Sequence, residues 1–343
     1  MLKNQLLLIL SMRIALITRK SNVTKEATHI TANSFAEELS KFAEVTIIST
    51  KKIGKQLSKI KSQPKEFEII HNFSASPLFA FKTILAKKHH KNAKTIHTLK
   101  SYSRSVLGSL YFSRILNLID AVTVPTQVMA EKLRNHGVKK EKIQVIHSHI
   151  DTTKFIPLNK ENLKAKHGYV GKIVFYYGST YYKKGLQNLI QGSSPIEAQI
   201  IIAPRDYPDQ EFFNLIKDKP NIKVITEDID VVEYVNLADI VVLPYLDLIA
   251  TEGNPSCLLE AMACKTPVVT SDLPELREIV EPEKDVLMAK PGDVTSLVLQ
   301  INRLLNNPQL RTKIAESAYS KSKQFDVKII TKQFLDLYQR LLS

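Results

Sequence analysis

Tryptophan is absent from the 343 residues, and cysteine occurs only twice. Two cysteines cannot form a disulfide scaffold, so we expect free thiols and a reducing compartment. With 10 glycines and 15 prolines, the chain is neither collagen-like nor of low complexity. Because 44% of the residues are hydrophobic and 24% are charged, wholesale disorder is excluded, and the length suits two domains with ordinary cores.

Long apolar runs and two familiar nucleotide-binding loops are also missing. No segment reaches the roughly 18 apolar residues that a membrane-spanning helix needs. The glycines never fall into the G-x-G-x-x-G spacing of dinucleotide-binding proteins, and no Walker A motif occurs. The sequence therefore argues against hydride transfer to a nicotinamide cofactor and against P-loop hydrolysis.

Acidic residues are scarce in the first half of the chain. Residues 1–150 hold 25 Lys and Arg against 9 Asp and Glu, whereas residues 151–343 hold 23 against 25. The net charge of +14 therefore comes from the first half. This asymmetry indicates an anionic partner, which could be nucleic acid, a membrane surface or a phosphorylated substrate; a lysine-rich soluble surface is the alternative.

Short β-branched runs alternate with helical stretches along the chain, which predicts an α/β protein with parallel sheets. We expect two Rossmann-like, doubly wound domains that face a cleft, because parallel sheets bind ligands beyond the carboxyl ends of their strands. The predicted strands are residues 14–18, 45–49, 69–71, 95–97, 121–124 and 144–146, then 172–177, 199–203, 223–226, 240–243 and 267–271.

The most informative stretch begins at the predicted strand 240–243. A loop with Glu252 and Asn254 follows, and then a helix predicted at 255–264. Asn254 is suited to the N-cap and Pro255 to the first helical position. The free N–H groups and partial positive charge at such a helix start suit a phosphate group.

Glu260 is the charged residue of this otherwise apolar helix. A buried carboxylate is costly unless it is hydrogen-bonded or paired. The hydroxyls of a ligand would supply donors, and an ion pair with a nearby Lys or Arg is the alternative. Together with Glu252, Glu260 suggests a sugar nucleotide, in which one carboxylate holds the ribose hydroxyls and the other the hydroxyls of the sugar.

This segment resembles glycosyltransferase family 4. The resemblance lies in the E-x7-E pair Glu252 and Glu260, and it extends over nearly the whole chain. The other matching stretches are Ala261-Met262-Ala263, Pro267-Val268-Val269, the loop from Gly178 through Lys184 to Gly185 (the "GR…KG" segment), and Ser148-His149-Ile150-Asp151 with Phe155 and Pro157 (the "NGVD…F.P" segment). The resemblance implies the GT-B fold, a nucleotide-activated sugar as donor, and retention of anomeric configuration.

The resemblance also implies a domain plan. Residues 327–342 are similar to the terminal helix that crosses back to the first domain in this family. We therefore expect an acceptor-side domain at 1–155, a nucleotide-sugar-binding domain at 156–325 and a C-terminal helix at 326–343.

The resemblance implies a role for individual residues. Lys184 matches the lysine on the donor diphosphate, where its charge would offset that of the leaving group. Glu252 matches the glutamate near the transferred sugar, and Glu260 the one on the ribose. His97, at a predicted strand end, resembles the histidine near the donor sugar, with a structural histidine as the alternative. The other expected donor-binding residues are Gly178, Ser179, Asn254, Pro255, Ser256 and Cys257.

The chain departs from the family pattern in its glycine and arginine positions. Ser179 stands where the family has arginine, so one positive charge on the diphosphate is lost. Tyr181, Tyr182 and Lys183, or a basic residue of the first domain (Arg19, Lys20 or Lys25), would compensate for it. Lys265 replaces a glycine after the helix, and residues 19–25 lack the glycines of the first loop. These departures leave the donor and the activity itself open.

We expect no metal and no cofactor besides the sugar nucleotide, which is a substrate. Asp228-Ile229-Asp230 fits a D-x-D metal motif, but its place before a predicted helix indicates a chance match. His147 and His149 are too few for a metal site. Cys257 and Cys264 are expected to be buried free thiols.

Two basic stretches, residues 51–61 and 77–94, place apolar residues among lysines. Basic amphipathic helices of this kind bind anionic bilayers. We therefore expect a cytoplasmic protein attached peripherally to the inner face of the membrane. The alternative is that both are ordinary helices packed on the sheet.

The leading hypothesis is a retaining, metal-independent glycosyltransferase. It would move a sugar from a nucleoside diphosphate sugar to a hydroxyl of a lipid-linked or saccharide acceptor at the membrane surface. The alternatives are a non-catalytic GT-B relative that binds a sugar nucleotide, a sugar-nucleotide epimerase and a basic nucleic-acid-binding protein. Nucleic acid is not the expected partner, because the recognisable binding motifs are missing.

Overall fold

The computed structural model describes residues 12–18, 27–49, 58, 62, 66–74, 80–101, 110–248 and 255–343. The chain divides into two compact units. The first contains the chain up to His149 and the C-terminal segment Val327–Ser343, and the second contains Ile150–Leu248 and Pro255–Asp326.

The first unit holds a parallel sheet whose described strands have the order β2-β1-β3-β4-β5-β6. The strands are Arg13–Thr18 (β1), Glu44–Ser49 (β2), Ile69–Ser74 (β3), Lys94–Leu99 (β4), Ala121–Val124 (β5) and Ile143–Val145 (β6). The helices between them are Ala27–Leu39 (α1), Ala80–Lys87 (α2), Leu110–Asn117 (α3) and Gln127–Asn135 (α4). Each pairing is parallel, as β-α-β connections require.

The second unit holds a second parallel sheet, with the order β12-β11-β10-β7-β8-β9. Its strands are Ile173–Gly178 (β7), Gln199–Pro204 (β8), Ile222–Val224 (β9), Ile240–Leu243 (β10), Val268–Ser271 (β11) and Leu287–Ala289 (β12). Its helices are Lys160–His167 (α5), Leu186–Gln191 (α6), Gln210–Ile216 (α7), Val231–Leu237 (α8), Ser256–Ala263 (α9), Pro274–Arg277 (α10), Val294–Leu305 (α11) and Pro308–Ser322 (α12). Helices cover both faces of this sheet.

The apolar composition of the central strands follows from this layering. In β10, Val241 and Leu243 belong to one buried layer, whereas Ile240 and Val242 belong to the layer on the opposite face. Successive side chains of a strand point to opposite faces, and both faces here are covered by helices. An unbroken apolar run is therefore what such a strand needs.

The C-terminal helix Val327–Leu342 (α13) packs on α1 within the first unit. The rings of Phe334 and Phe35 lie 5.0 Å apart in an edge-to-face arrangement. The Tyr338 hydroxyl lies 2.6 Å from Nδ1 of His71 on β3, in a fully buried contact. These contacts attach the end of the chain to the core of the first sheet.

The predicted α/β fold with two Rossmann-like parallel sheets is confirmed, with differences at individual elements. Strand β12 was not predicted, although strands β6 and β9, which are equally short, were. The prediction that His97 ends its strand is wrong, since β4 continues to Leu99. Helix α9 begins at Ser256 and not at Pro255, whose extended backbone (ψ 128°) makes it the N-cap. The predicted Asn254 cap lies outside the described residues.

No helix within the described ranges has both the length and the apolar character needed to span a bilayer. The basic stretch 51–61 lies outside the described residues, apart from residue 58. In the second stretch, Ala80, Thr83 and Ala86 of α2 are buried, and α2 packs on β3 and β4. Phe81 remains 49% exposed. The described part of this stretch is therefore a helix packed on the sheet, which is the alternative stated above.

Candidate functional site

The expected site residues of the second unit gather at one edge of its sheet. All its strands are parallel, so their carboxyl ends lie at the same edge. Strand β7 ends at Gly178 between the neighbouring strands β10 and β8. The loop that follows β7, the residues after β8 and β10, and the start of α9 are therefore the segments from which a site is built.

Gly185 brings the loop after β7 against the end of β10. Its φ is +71°, in the left-handed region that favours glycine, and a Cβ atom added to it would stand 1.7 Å from the Pro244 carbonyl oxygen. The loop is also held by a hydrogen bond from the Leu246 N–H to the Lys183 carbonyl, 2.9 Å long. The position and orientation of this turn are therefore fixed by backbone contact.

The two lysines of this turn have different surroundings. The buried Lys183 ammonium lies 2.9 and 3.1 Å from the two carboxylate oxygens of Asp247. The Lys184 ammonium is half-buried and lies 4.9 Å from the ring centroid of Tyr245. An aromatic ring attracts a cation without carrying a net charge, so this contact leaves the charge of Lys184 in place. The two neighbouring lysines therefore differ in that Lys183 is paired with a carboxylate and Lys184 has an aromatic neighbour.

Ser179 is part of a local hydrogen-bond network and not of a cationic cluster. Its Oγ donates to Oδ2 of Asp206, 2.5 Å away, and accepts from the Tyr181 N–H at 3.1 Å. The Tyr176 hydroxyl donates to the Ser179 carbonyl at 2.7 Å. The Lys183 ammonium pairs with Asp247, and the expectation that Lys183 compensates for the charge missing at Ser179 stays a prediction.

Helix α9 presents its N-terminus at this edge. Pro255 is its N-cap and makes no side-chain cap, and Ser256 and Cys257 form its first turn, in which both are buried. The first N–H groups of a helix have no acceptor within the helix and carry partial positive charge. This helix start can therefore bind an anion through its backbone, as the sequence predicts.

Glu260 lies one turn further along α9 and is half-buried. One partner of its carboxylate is the Tyr177 hydroxyl, which lies 2.8 Å from Oε2. Burial, and then the neighbouring Glu260 carboxylate, raise the pKa of Tyr177 well above its usual value. The phenol therefore stays protonated and donates its hydrogen bond to the carboxylate.

His97 belongs to the first unit and is fully buried in the middle of β4. Within the described part of the chain, neither of its ring nitrogens has a hydrogen-bond partner. Burial lowers the pKa of His97 to about 3, so the ring is neutral at physiological pH. Glu252 and Asn254 lie outside the described residues, and their expected roles stay predictions.

The D-x-D match has a structural explanation. Oδ1 of Asp230 accepts from the Val232 N–H at 2.9 Å and caps the N-terminus of α8. Among the described residues, no three His, Cys, Asp or Glu side chains lie together as a metal site. Cys257 and Cys264 are buried free thiols, and burial raises the pKa of Cys264 to about 12.

Four residues of this edge were not identified from the sequence. Tyr177 contacts Glu260, Asp206 contacts Ser179, Asp247 pairs with Lys183, and Tyr245 lies under Lys184. A signal was present for all four, since each lies within a few residues of the carboxyl end of a predicted strand. Their partners depend on the order of the strands, which the sequence did not reveal.

Comparison with known families matches both halves of the chain. The profile described as "Glycosyltransferase Family 4" matches residues 18–154, and the profile "Glycosyl transferases group 1" matches residues 159–321. The chain belongs to glycosyltransferase family 4. Lys184, Glu260 and the start of α9 all lie within the second of the two matched regions.

Two curated relatives of this glycosyltransferase family illustrate the range of similarity. The N,N'-diacetylbacillosaminyl-diphospho-undecaprenol alpha-1,3-N-acetylgalactosaminyltransferase of Campylobacter jejuni is 30% identical over 228 residues, which cover 62% of this chain and 58% of the relative. The N-acetyl-alpha-D-glucosaminyl L-malate synthase of Bacillus anthracis is 24% identical over 297 residues, which cover 82% of this chain and 77% of the relative. The match thus spans little more than half of the Campylobacter relative.

Solved glycosyltransferase structures share the fold. HepE of Anabaena, solved in complex with UDP-glucose, is 17% identical with a TM-score of 0.81, covering 96% of this chain and 100% of HepE. Sucrose-phosphate synthase of Thermosynechococcus elongatus is 20% identical with a TM-score of 0.82, covering 96% of this chain and 99% of that enzyme. At these identities the likeness shows the GT-B fold alone.

One departure from the glycosyltransferase pattern has a visible structural consequence. Lys265, which follows α9 in place of the family glycine, has a φ of 57°. Non-glycine residues rarely adopt this left-handed conformation. The backbone has therefore kept the shape that glycine favours, while the Lys265 ammonium pairs with Glu316 at the surface.

Proposed function

We propose that this family member transfers a sugar from a nucleoside diphosphate sugar to a hydroxyl acceptor. The observation that carries the proposal is the location of Lys184, Glu260 and the start of α9 at the same edge of the sheet, where Gly185 fixes the turn that holds Lys184. A cation, a helix N-terminus and a carboxylate are the groups that a diphosphate and a ribose need.

In the proposed site each residue has one task. Lys184 and the backbone N–H groups at Ser256 and Cys257 bind the diphosphate, and Glu260 accepts hydrogen bonds from the ribose hydroxyls. Gly178 and Ser179 line the phosphates through their backbone. The roles that the family resemblance implies for Glu252, Asn254 and His97 in donor binding stay predictions. Full burial and a low pKa keep the His97 ring neutral, which also fits the structural histidine given as the alternative.

The proposed chemistry is front-face transfer with retention. The bond from the anomeric carbon to the diphosphate breaks, the acceptor oxygen bonds to the same face, and a departing phosphate oxygen takes the proton of the acceptor. Lys184 stabilises the negative charge that develops on the leaving diphosphate, a term that in enzymes is worth roughly 10²–10³-fold in rate per donor. Metal independence is part of the proposal, and full activity in EDTA would support it.

The proposed acceptor is a lipid-linked saccharide at the inner membrane surface. The Campylobacter relative is named for a diphospho-undecaprenol acceptor, and the Bacillus relative for L-malate. The excess of positive charge in residues 1–150 favours an anionic, membrane-bound acceptor. We expect the protein to float with anionic vesicles at low salt and not with neutral ones; flotation with neither, or equal flotation with both, would contradict attachment to an anionic surface.

The experiment for the proposed function is a transfer assay with radiolabelled nucleoside diphosphate sugars and lipid extract from bacterial membranes. We expect one donor to label an organic-soluble product, with the anomeric configuration of the donor kept in the new linkage. Glu260→Ala should abolish the labelling. Failure of every donor to label any lipid or saccharide acceptor would refute the proposal.

A non-catalytic, nucleotide-sugar-binding relative is the second candidate. The observation in its favour is the hydrogen bond of Ser179 to Asp206, which places a carboxylate near the position of the missing family arginine. This candidate predicts that a donor binds but is neither hydrolysed nor transferred under any condition. Binding measured beside the transfer assay separates the two.

A further inference from the structure

Tyr177 is the penultimate residue of β7 and holds a fixed position in the second unit. Its side chain is buried, and its ring stacks on that of Phe175 with 5.1 Å between the centroids and 10° between the planes. The strand and this stacking fix the ring independently of its hydroxyl group. The hydroxyl can therefore be removed without moving the ring.

The Tyr177 hydroxyl lies between two acceptors of α9. Oε2 of Glu260 is 2.8 Å away, and the main-chain carbonyl oxygen of Cys257 is 3.1 Å away. A phenol has one proton to donate, and an ionised carboxylate is the stronger acceptor. The distance to the carboxylate is also the shorter of the two, as expected for the stronger acceptor. The Cys257 contact adds a second link between the end of β7 and the first turn of α9.

This contact limits the orientations of the Glu260 carboxylate. A glutamate side chain has three rotatable bonds, and a carboxylate accepts well-formed bonds from two neighbouring hydroxyls in few orientations. With Oε2 held by Tyr177, the carboxylate has fewer orientations available before a ligand arrives. A site prepared in this way discriminates strongly against an analogue that lacks one of the hydroxyls.

We propose that Tyr177 is a positioning residue that sets the preference of the donor site for ribose over 2′-deoxyribose by holding the Glu260 carboxylate. This inference rests on the proposed function, because it needs Glu260 to bind the ribose. Tyr177 does not itself contact the sugar on this account. It acts through Glu260, so its effect depends on that carboxylate.

The test measures dissociation constants by titration calorimetry for UDP and 2′-deoxy-UDP, and for GDP and 2′-deoxy-GDP. The proteins are the wild type, Tyr177→Phe, Glu260→Gln and the double variant. We expect the wild type to bind one ribonucleotide about tenfold or more tightly than its deoxy analogue, as a hydrogen bond to a charged group allows. Tyr177→Phe should reduce this ratio to about threefold or less, and should have no further effect in the Glu260→Gln background.

The matched control is Tyr234→Phe. Tyr234 belongs to the same buried layer, and its ring lies edge-to-face against that of Tyr169, with 6.2 Å between the centroids. This variant should lose some stability and keep the full ribose ratio. Thermal unfolding of each variant checks that the second unit is folded.

The outcomes separate the inference from the function on which it rests. An unchanged ribose ratio in Tyr177→Phe, or an equal loss of affinity for both nucleotides, overturns the positioning role and leaves the proposed function intact. If the wild type binds a nucleotide without preferring ribose, the positioning role is also overturned and the proposed function is again left intact. If the wild type binds none of the four nucleotides, the proposed function fails together with the inference.

Discussion

The Cα atom of Gly185 lies so close to Pro244 that an added Cβ would stand 1.7 Å from the Pro244 carbonyl oxygen and 2.8 Å from its carbonyl carbon. The neighbour is backbone at the end of β10 and cannot move aside as a flexible side chain would. The family glycine next to Lys184 is therefore required by sheet packing and by a φ of +71°.

Gly185→Ala should strongly destabilise the second unit. The left-handed backbone alone costs about 1–2 kcal/mol for a non-glycine residue, and relief of the clash with Pro244 adds to it, so we expect a loss of more than about 3 kcal/mol. Gly171→Ala is the control, because Gly171 has a φ of +80° with nothing within 4 Å of an added Cβ. Denaturant unfolding measures both variants, and equal losses would show that the close approach to Pro244 is unimportant.

Lys184→Met should reduce turnover far more than Lys183→Met. Loss of a cation that stabilises the leaving diphosphate is expected to lower kcat roughly 10²–10³-fold. Lys183 pairs with Asp247, so its removal should change stability modestly and kcat by only a few-fold. Steady-state kinetics with the donor identified by the transfer assay gives the comparison. A larger loss of kcat for Lys183→Met would show that Lys183, and not Lys184, carries the catalytic charge.

Lys265→Gly should stabilise the protein. The φ of 57° strains a lysine but not a glycine, so removal of the strain is expected to contribute about 1 kcal/mol. The ion pair with Glu316 is exposed on both sides and contributes little. Lys265→Ala loses the same ion pair but keeps the strain, and serves as the control. A melting temperature that falls equally for both variants would contradict the strain.

Acid should destabilise the second unit through Asp239. Burial alone raises the pKa of this carboxyl, but Lys160, a hydrogen bond from Lys164 and the Ile173 N–H outweigh burial and hold the pKa below its usual value. A carboxyl with a depressed pKa in the folded state stabilises the protein above its unfolded pKa, and this stabilisation is lost as the pH falls through the folded value.

The pH dependence of unfolding tests this linkage. We expect the stability to decline as the pH falls below about 4, the ordinary pKa range of an aspartate. Asp239→Asn should be less stable than the wild type at neutral pH and should show a shallower decline in acid. Parallel pH profiles for the two proteins would show that Asp239 does not contribute to the acid response.

Elements with a strong local pattern could be predicted from the sequence. Strand β10 has the predicted bounds, because a continuous apolar run identifies it, and helix α13 has the bounds that the family resemblance implied. Strand β12 carries three residues and forms by pairing with β11, so its existence depends on a partner distant in sequence. The local pattern contained no sign of it.

The candidate site was likewise predictable where a local pattern exists and not where distant residues meet. The expected position of Lys184 and Glu260 at the strand ends follows from the parallel sheet, and that much was predictable. The pairs Tyr177–Glu260, Lys183–Asp247 and Ser179–Asp206 join residues that lie 83, 64 and 27 positions apart. Such partners meet only once the strand order is known. The left-handed backbone at Lys265, by contrast, could have been expected from the glycine that the family carries there.

The most direct test of the central claim is a thermal-shift screen of nucleoside diphosphate sugars against the wild type and Glu260→Ala. At about one hundred times the dissociation constant, a bound donor adds about 2.7 kcal/mol of stability. The account predicts that one donor raises the melting temperature of the wild type by several degrees and leaves Glu260→Ala unchanged. No shift with any donor, or an equal shift in both proteins, would contradict the assignment of Glu260 to a sugar-nucleotide site.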